Sequence, residues 1–563
     1  MNKIFLYILF ISAAFSFAAH AQTERETRAV WVATNFKLDW PPASFDEEVQ
    51  KRELIKIFDD IKSKKFNTVY FQVRSNGTVF FQSSYEPFTP YFTGKVDVKP
   101  GYDPLKFAIE QAHKKGLEIH AWVNCVRCFS GSDMSILNHP FHIKQRRPDW
   151  VIKDVRDGST SYWLDMGLPE VRHYLVSVLS ELIENYDLDG LHLDFLRYPG
   201  HDFDDEFSYN LYGTGENKDD WRRNNLNTFV KDLSANIRML KPYMKIGAAP
   251  IGIYKNSENG RGFEGYGEVY QDSRYWLEQG WIDYLTPQIY WPLEGPPRFD
   301  KLAVEWSENN FNRSIVLGMA AYKPQVNAEL DRLIEYTRRT KADGFAMFRY
   351  GNIKNNSFST INNIALPTEM DWLKSTAPVA PYNLLAQQDK LNNGIITLNW
   401  TNPEVDSISY YALYNLPAPG SELKNEYLLE IIPSDKTFAK LAVDKPKRVN
   451  YYFTLKSLNK LWNESITTSN IVEVTFSDLS LLAGMDDIFD SPFLVKEKSS
   501  TPKLFIYVNE EDTIEISDSR KQMKETHKLM PGKNIVSINK ELLNNDSIII
   551  SYKRSGEVKT LKI

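Results

Sequence analysis

Eight short apolar segments alternate with amphipathic segments between residue 28 and about residue 350. The apolar segments have the length and β-branched composition of strands. The segments between them repeat apolar residues at helical spacing, as Leu54, Ile57 and Ile61 do. Eightfold strand–helix alternation predicts a parallel sheet that closes as a (β/α)8 TIM barrel. An open doubly wound sheet is the alternative, and the lack of a G-x-G-x-x-G motif after the first strand disfavours it.

The same pattern sets the bounds of the predicted elements. The strand candidates are, in chain order, TRAVWVAT, FNTVYFQVR, GLEIHAWVNC, GLHLDFLRYP, KIGAAPIGI, DYLTPQIYW, SIVLGMAAY and GFAMFRYGN. The helix candidates span residues 46–64, 103–115, 169–186, 219–240, 268–279, 299–310, 326–341 and 358–374.

A chain of 563 residues is too long for one hydrophobic core, so several domains are expected. We assign the barrel to residues 26–375. After the Pro- and Ala-rich segment STAPVAPYNLLAQQ, short strands without helices predict a β-sandwich over residues 378–477. Its segments LNWTNP, ISYYALYNLP and NYYFTLKSLN resemble a fibronectin type III module. Residues 480–563 are also rich in strand signals and predict a small β-rich C-terminal domain.

Residues 1–21 have the composition of a secretory signal peptide. Lys3 supplies the positive charge, an apolar run follows, and Ala19-His20-Ala21 fits the small-x-small cleavage rule. The alternative is an uncleaved N-terminal membrane anchor, for which the apolar run is short. We therefore expect an exported bacterial protein of the periplasm or cell surface, with no transmembrane segment after cleavage.

Composition restricts the classes of partner. The formal net charge of -6 gives no reason to expect nucleic acid, because nucleic-acid binding needs clustered Lys and Arg. Aromatic residues make up 13% of the chain, which suits stacking on sugar rings as well as core packing. The two cysteines, Cys125 and Cys128, have no second ligand cluster that would complete a zinc site. They are expected to form one local disulfide or to be two buried thiols, and we expect no metal and no cofactor.

The fourth strand candidate, within GLHLDFLRYPG at residues 190–200, carries a carboxylate near its end. In a (β/α)8 barrel, catalytic residues lie at the carboxyl ends of the strands and in the loops that follow. Asp194 is late in its strand and shares one face with His192, because side chains alternate along a strand. Its possible roles are nucleophile, general acid or base, metal ligand, or ion-pair partner of Arg197.

Other polar and aromatic residues at strand ends suggest a sugar-binding mouth. Glycoside hydrolysis needs two carboxyl groups across the scissile bond, one of which donates a proton while the other acts as nucleophile or base. Hydrogen-bonding side chains and flat aromatic rings are expected to line the cleft. The substrate-binding candidates are Arg74, Asn124, His192, Tyr198, Gln288, Tyr290, Trp291 and Arg349.

Several ordered motifs resemble one family. RAVWVAT, YWLDMGLPEVRHYL, DGLHLDFLRYP, WIDYLTPQIYW and GFAMFRYG are similar to motifs of the glycosyl hydrolase-like family 10, a group of exported (β/α)8 proteins, over about residues 26–370. The resemblance implies cleavage of a bacterial cell-wall glycan or another polysaccharide. Its distant α-glycosidase relatives place a nucleophilic Asp at the end of strand four, where Asp194 stands. Phe195 stands where many members have a second acidic residue, so a mechanism that needs this adjacent pair is in doubt here.

The second catalytic carboxylate has two candidates. Asp272 lies in EVYQDSRYW, which resembles a family motif with an Asp at this position and implies a proton donor. The alternative is that Asp272 stabilises the N-terminus of a helix. Glu264 lies in NGRGFEGYG, whose glycines permit a mobile loop. Asp165, in LDMGLPEVR, is expected to shape the mouth or to bind sugar.

These observations predict an exported glycoside hydrolase that acts on O-glycosidic bonds. Retention of the anomeric configuration, with Asp194 as nucleophile, is a hypothesis from the distant relatives. The alternative is a non-catalytic carbohydrate-binding protein on a barrel scaffold, which the lack of a second carboxyl group near Asp194 would favour. An amide hydrolase is a third alternative, but no G-x-S-x-G motif occurs at the strand ends.

Overall fold

The computed structural model describes most of the chain. The described residues are 25–388, 395–402, 407–443, 450–476, 493–495, 502–508, 511–518, 520, 522–530, 532–544, 547–554 and 556–562. The predicted signal peptide, residues 1–21, lies outside them. Within the described part of the chain, no helix has the length and apolar composition needed to cross a bilayer.

Eight parallel strands form a closed barrel, which confirms the predicted fold of this region. β1 pairs with β8 as well as with β2, so the sheet has no open edge. Side chains along β1 alternate, with Val30 and Val32 packed on the helices and Trp31 packed inside the barrel. The strands are β1 (Thr27–Val32), β2 (Thr68–Ser75), β3 (Glu118–Asn124), β4 (Gly190–Asp194), β5 (Lys245–Ala248), β6 (Tyr284–Leu285), β7 (Ser314–Met319) and β8 (Gly344–Met347).

One helix follows each strand and covers the outside of the barrel. Side-chain caps define several starts: Asp46 accepts a hydrogen bond from the backbone N of Val49 at 2.9 Å, and Asp103 accepts one from Lys106 at 3.0 Å. The helices are α1 (Glu47–Ser63), α2 (Pro104–Lys114), α3 (Pro169–Asn185), α4 (Lys218–Leu240), α5 (Ser273–Glu278), α6 (Phe299–Glu308), α7 (Leu330–Thr337) and α8 (Tyr350–Ile353). Short helices in the loops are Met134–Leu137, Ile143–Arg146, Glu206–Tyr212 and Pro324–Asn327.

Three helix predictions were wrong in extent or in kind. The helix predicted over 326–341 is divided into Pro324–Asn327 and α7, which ends at Thr337. The segment predicted as a helix over 358–374 contains none. Instead it runs back to the first strand, where Leu366 accepts a hydrogen bond from the backbone N of Glu26 at 3.0 Å, and Pro367 follows without an N–H to donate. The helix predicted over 268–279 is limited to α5, since Tyr270 has a φ of 60°, outside the helical region.

The loop between β3 and α3 contains a small antiparallel sheet that the sequence pattern did not predict. Its three strands are Arg127–Ser130, Val151–Arg156 and Ser159–Leu164, with the last in the centre. The first of them begins three residues after β3. Just before it, the backbone N of Val126 donates to the carbonyl of Phe195, the residue that follows β4, at 3.2 Å. This sheet therefore forms a wall beside the carboxyl ends of β3 and β4.

The C-terminal region consists of antiparallel sheets, as predicted. β9 (Tyr382–Gln388), β10 (Ile395–Thr401) and β13 (Phe438–Ala442) form one sheet. β11 (Tyr410–Leu416), β12 (Leu428–Pro433), β14 (Asn450–Leu458) and β15 (Val472–Thr475) form a second. Two further sheets contain Phe493–Val495, Lys503–Val508, Asp512–Asp518, Lys524–Leu529, Gly532–Ser537, Ser547–Tyr552 and Val558–Lys562. The fibronectin type III assignment and the domain boundaries stay predictions.

The second of these sheets contacts the barrel at its amino-terminal end, through the loop that follows β14. Lys460, after β14, forms an ion pair with Asp187, just before β4. Arg25, before β1, reaches Glu369 at 3.0 Å and Glu464 at 3.4 Å. The contact therefore lies at the end opposite to the strand ends where a barrel builds its active site.

Candidate active site

A cavity of about 240 Å³ opens at the carboxyl ends of the barrel strands. A larger groove of about 630 Å³ lies outside the barrel between α2 and α3, but its lining contains no residue from a strand end. The aromatic lining of the strand-end cavity consists of Trp31, Phe36, Trp122, Phe195, Tyr290 and Phe348. Its uncharged polar lining consists of Asn35, Gln72, Asn124 and Gln288, and its charged lining of Arg127, Asp194 and Arg197. Flat rings and amides are the groups that fix sugars.

Asp194 is the last residue of β4, and its carboxylate is held by three donors. The indole Nε1 of Trp122 donates to Oδ2 at 3.0 Å. The backbone N of Phe195 donates to Oδ1 at 2.7 Å, and the Gln288 amide reaches the same oxygen at 3.4 Å. Burial raises the pKa of Asp194, against the opposing effect of the Phe195 and Trp122 donors. The side chain is therefore fixed in one orientation in the lining of the cavity.

Strand register explains why Trp122 and Asp194 meet. Asn124 on β3 lies beside Asp194 on β4, and Trp122 is two residues earlier on the same face as Asn124. The strand ends at Asp194 because Phe195 adopts a φ of 48°, a left-handed conformation that breaks the extended backbone. The Phe195 ring thereby joins the lining of the same cavity as Asp194.

His192 lies below the cavity rather than in it. Its side chain is fully buried, its ring stacks on Tyr70 with centroids 3.9 Å apart, and it hydrogen-bonds Trp31 at 3.1 Å and Tyr284 at 3.1 Å. Burial lowers the pKa of His192 well below its usual range. His192 therefore fills the barrel interior as a neutral ring, although it shares the face of Asp194.

The structure brings four of the predicted site residues into one cavity: Asn124, Asp194, Gln288 and Tyr290. Arg74 lies elsewhere, in a buried fork with Glu86 at 2.7 and 2.6 Å. The structure therefore uses Arg74 in a buried ion pair and not in the lining of the cavity.

The remaining predicted binding residues are engaged outside the cavity lining. Tyr198 is fully buried beside Asn225, at 3.4 Å. Asp165 accepts hydrogen bonds from Gly167 at 2.9 Å and Ser208 at 3.0 Å, and burial raises its pKa to about 6. Arg349 forms an ion pair with Asp39, and Trp291 is half-buried against the outer core.

The structure does not bring the two candidate proton donors into the cavity lining. Asp272 accepts a hydrogen bond from the Tyr254 hydroxyl at 2.6 Å. Glu264 binds backbone N–H groups of its own loop, at Gly267 (3.1 Å) and Asn256. Among the lining residues that the structure describes, Asp194 is the only carboxylate.

Sequence reasoning missed Trp122, Arg127 and Arg197, together with the exposed ring of Phe36. Trp122 carried a signal, because it lies on the same strand face as Asn124, two residues before the end of β3. Arg197 was considered as an ion-pair partner of Asp194, but its guanidinium donates instead to the carbonyl of Tyr198 at 3.3 Å. No local pattern marked Phe36, which lies in a loop after β1 with a φ of 56°.

The cysteines are two buried free thiols, the second of the two alternatives. Burial raises the pKa of both to about 12, so neither is a thiolate at neutral pH. In the described residues, no three His, Cys, Asp or Glu side chains are grouped so that they could hold a metal ion.

A closed (β/α)8 barrel with a carboxylate fixed at the end of its fourth strand, in a cavity of rings and amides, defines a barrel of the glycoside hydrolase type. The chain belongs to the family described as glycosyl hydrolase-like 10, whose model matches residues 26–334. It is 34% identical to "Glycosyl hydrolase YngK" of Bacillus subtilis (strain 168), over 80% of this chain and 94% of that protein.

Two further similarities concern the barrel region. The chain is 33% identical to "Glycosyl hydrolase DigH" of Escherichia coli (strain K12), over 54% of this chain and 75% of that protein. Among solved structures, the glycoside hydrolase domain of PgaB (BpsB) from Bordetella bronchiseptica aligns with a TM-score of 0.45 and 14% identity, over 63% of this chain and 100% of that one.

Proposed function

We propose that the protein is a glycoside hydrolase that cleaves O-glycosidic bonds of a polysaccharide or cell-wall glycan, with Asp194 at the centre of its chemistry. The observation that carries the proposal is the position of the Asp194 carboxylate. It is rigidly hydrogen-bonded at the carboxyl end of β4 and faces a cavity of about 240 Å³ lined by rings and amides. Membership of the glycosyl hydrolase-like 10 family supports the same class.

Asp194 acts in this mechanism as the nucleophile or as the stabiliser of the oxocarbenium-like transition state. Both roles need the ionised form, since an anion must face the developing positive charge on the anomeric carbon. The N–H donors of Trp122 and Phe195 favour that form. They also hold the carboxylate in place before substrate arrives, so no reorganisation is needed during the reaction.

The proton donor comes from the loop between β5 and α5, which contains Glu264 and Asp272. This loop adjoins the cavity wall: Ile251 lines the cavity, and its backbone N donates to the Gln271 side chain at 2.9 Å. Asp272 follows Gln271 directly and is the first candidate; Glu264 is the second. A separation between the two reacting carboxyl groups of about 5–5.5 Å would predict retention, and about 6.5–9.5 Å inversion.

A second candidate function is non-catalytic binding of carbohydrate on the same barrel. One observation favours it: within the described lining of the cavity, Asp194 has no carboxylate partner. A single fixed carboxylate among aromatic rings can hydrogen-bond a sugar hydroxyl without cleaving a bond.

Reducing-end release by the purified protein tests both candidates. The panel contains peptidoglycan, its peptide-free glycan strands, and α- and β-linked polysaccharides, each incubated with the wild type, Asp194→Asn, Asp272→Asn and Glu264→Gln. Asp232→Asn, an exposed position on α4, is the control variant. Asp194→Asn is expected to lower the rate on the order of 1,000-fold or more. Equal release from wild type and Asp194→Asn would remove Asp194 from the mechanism. Binding without release from any glycan would establish the second candidate.

We also propose that the protein is exported, with cleavage after Ala21, because residues 1–21 have all three parts of a signal peptide. The seven strands β9 to β15 are proposed to form a fibronectin type III-like module. Their division into antiparallel sheets of three and four strands supports this. N-terminal sequencing of protein recovered from the periplasm and the cell surface tests the export.

A further inference from the structure

Two arginines lie just after the adjacent strands β3 and β4, and their guanidinium groups contact the Phe195 ring at the cavity. Arg127 begins the strand that follows β3, and Arg197 follows β4. The guanidinium carbon of Arg127 lies 3.5 Å from the centroid of the Phe195 ring, and that of Arg197 lies 5.1 Å from it. Both side chains line the cavity that contains Asp194.

Neither arginine has a carboxylate partner in the described part of the chain. The Arg127 guanidinium makes no hydrogen bond to a described residue, and that of Arg197 donates only to the Tyr198 carbonyl at 3.3 Å. Asp194 takes its hydrogen bonds from Trp122, Phe195 and Gln288, and not from either arginine.

Two more deeply buried arginines of this barrel each have a carboxylate partner, whereas Arg127 and Arg197 are only partly buried. Arg74 is held in a fork by Glu86, at 2.7 and 2.6 Å. Arg222 is held in a fork by Asp205, at 2.7 and 2.6 Å. A carboxylate compensates each of these two buried charges, because an uncompensated buried charge is strongly destabilising. The guanidinium groups of Arg127 and Arg197 are partly exposed at the cavity, where a ligand can reach them.

The charges around Phe195 leave a net positive site. Burial and the neighbouring Arg197 lower the pKa of Arg127 to about 10, and burial lowers that of Arg197 to about 10. Both remain charged at neutral pH, and Asp194 offsets only one of them. Arg156, which also repels Arg197, is itself paired with Asp154 at 3.1 Å.

We propose that Arg127 and Arg197 bind a carboxylate substituent of the glycan, so that the site selects acidic sugars over neutral ones. The inference rests on the proposed function and names the substrate class of the same site. A guanidinium that stacks on a ring keeps its N–H edge free, and that planar edge matches the two oxygens of a carboxylate. The bound anion then supplies a counter-charge at the cavity, where the described residues offer neither arginine a carboxylate partner.

Matched glycans test this by changing the ligand and leaving both arginines intact. The probes are peptide-free peptidoglycan strands and a polyuronate, each compared with a counterpart whose carboxylates have been reduced to alcohols. Binding is measured by calorimetry on Asp194→Asn, to prevent turnover, and hydrolysis is measured on the wild type. At least one carboxylated glycan is expected to bind about tenfold or more tightly than its reduced counterpart.

Variants test whether the two arginines cause the preference for carboxylated over reduced glycans. Arg127→Gln and Arg197→Gln, each added to Asp194→Asn, are expected to remove the preference, so that carboxylated and reduced glycans bind with similar affinity. Arg127→Lys keeps the charge but lacks the planar guanidinium, so it is expected to retain only part of the preference for the carboxylated glycan. Arg332→Gln, an exposed arginine on α7, is the control.

The outcomes separate this inference from the proposed function. Equal affinity for carboxylated and reduced glycans, with hydrolysis intact, would overturn the carboxylate site and leave the hydrolase standing. A preference that survives in both glutamine variants would also overturn it. Failure to bind or cleave any glycan of either kind would overturn both.

Discussion

The indole N–H of Trp122 donates a hydrogen bond to Oδ2 of Asp194 at 3.0 Å, from the neighbouring strand of the barrel. The contact fixes one carboxylate oxygen, while the backbone N of Phe195 fixes the other at 2.7 Å. The orientation of Asp194 is therefore set by two neighbouring backbone and side-chain donors. The proposed chemistry also depends on how far the Trp122 donor lowers the pKa of Asp194.

Trp122→Phe is expected to move the acidic limb of the pH–rate profile to higher pH. The indole hydrogen bond opposes the rise that burial causes in the pKa of Asp194, so its loss raises that pKa further. Because Asp194 acts ionised in the proposed mechanism, activity is then lost at a higher pH on acidification, and kcat/KM at neutral pH drops about tenfold (~1.4 kcal/mol). Trp276→Phe, which breaks a buried indole hydrogen bond to Asn227, is the control. An unmoved limb in Trp122→Phe would show that Asp194 does not titrate in catalysis.

Arg74→Met is expected to destabilise the barrel without weakening glycan binding by the folded protein. The substitution leaves the buried Glu86 without its partner, with only the Tyr174 hydroxyl at 2.9 Å, which costs about 3–5 kcal/mol. Denaturant unfolding followed by tryptophan fluorescence measures the change. Arg147→Met, which breaks an exposed pair with Asp149, is expected to change little. Loss of glycan affinity at unchanged stability would return Arg74 to the binding site.

His113 is expected to make the stability of the protein depend on pH. Burial alone would lower the pKa of His113, but the Asp189 carboxylate, 2.9 Å away, outweighs burial and raises it. When the pKa of a histidine is higher in the folded state than in the unfolded state, its protonation stabilises the fold. This stabilisation is fully present below the unfolded-state pKa of about 6.5, and it is lost as pH rises through the folded-state pKa.

The difference in unfolding free energy between wild type and His113→Gln is therefore expected to be largest near pH 6 and to narrow by pH 9. Denaturant unfolding across this range measures it. His173→Gln, an exposed histidine on α3, is expected to give no such trend. A constant difference from pH 6 to pH 9 would show that His113 is not held as a cation by Asp189.

Phe36→Ala is expected to raise KM about fivefold and to leave kcat unchanged. Phe36 lines the cavity with 52% of its surface exposed, so a sugar ring can cover it and remove apolar area from water, worth ~1 kcal/mol. Steady-state kinetics measures the effect. Phe207→Ala, at a ring that is 74% exposed outside the cavity, is the control and should leave KM unchanged. A KM of Phe36→Ala equal to that of the wild type and of Phe207→Ala would exclude Phe36 from substrate binding.

Much of the fold followed from local pattern, because periodicity is a property of neighbouring residues. The alternation of Val30 and Trp31 between the outer and inner layers of the barrel is already visible as period two in β1. The predicted helix over 358–374 failed because a contact between residues far apart in sequence, Leu366 with Glu26, replaced helical hydrogen bonds. Such a contact leaves no local signal.

The candidate site, like the fold, was predicted in part from the sequence and decided in part by the tertiary structure. The sequence alone determined that Asp194 stands at a strand end and that Asn124, Gln288 and Tyr290 reach the same mouth, since parallel strands of a barrel end together. Only the tertiary structure decided the depth of each side chain, which places His192 below the cavity although it shares a strand face with Asp194. It also decided charge pairing: Arg74 pairs with Glu86 inside the fold, whereas Arg127 and Arg197 line the cavity without an ion-pair partner among the described residues. Pairing depends on distances in space, and spacing along the chain does not encode them.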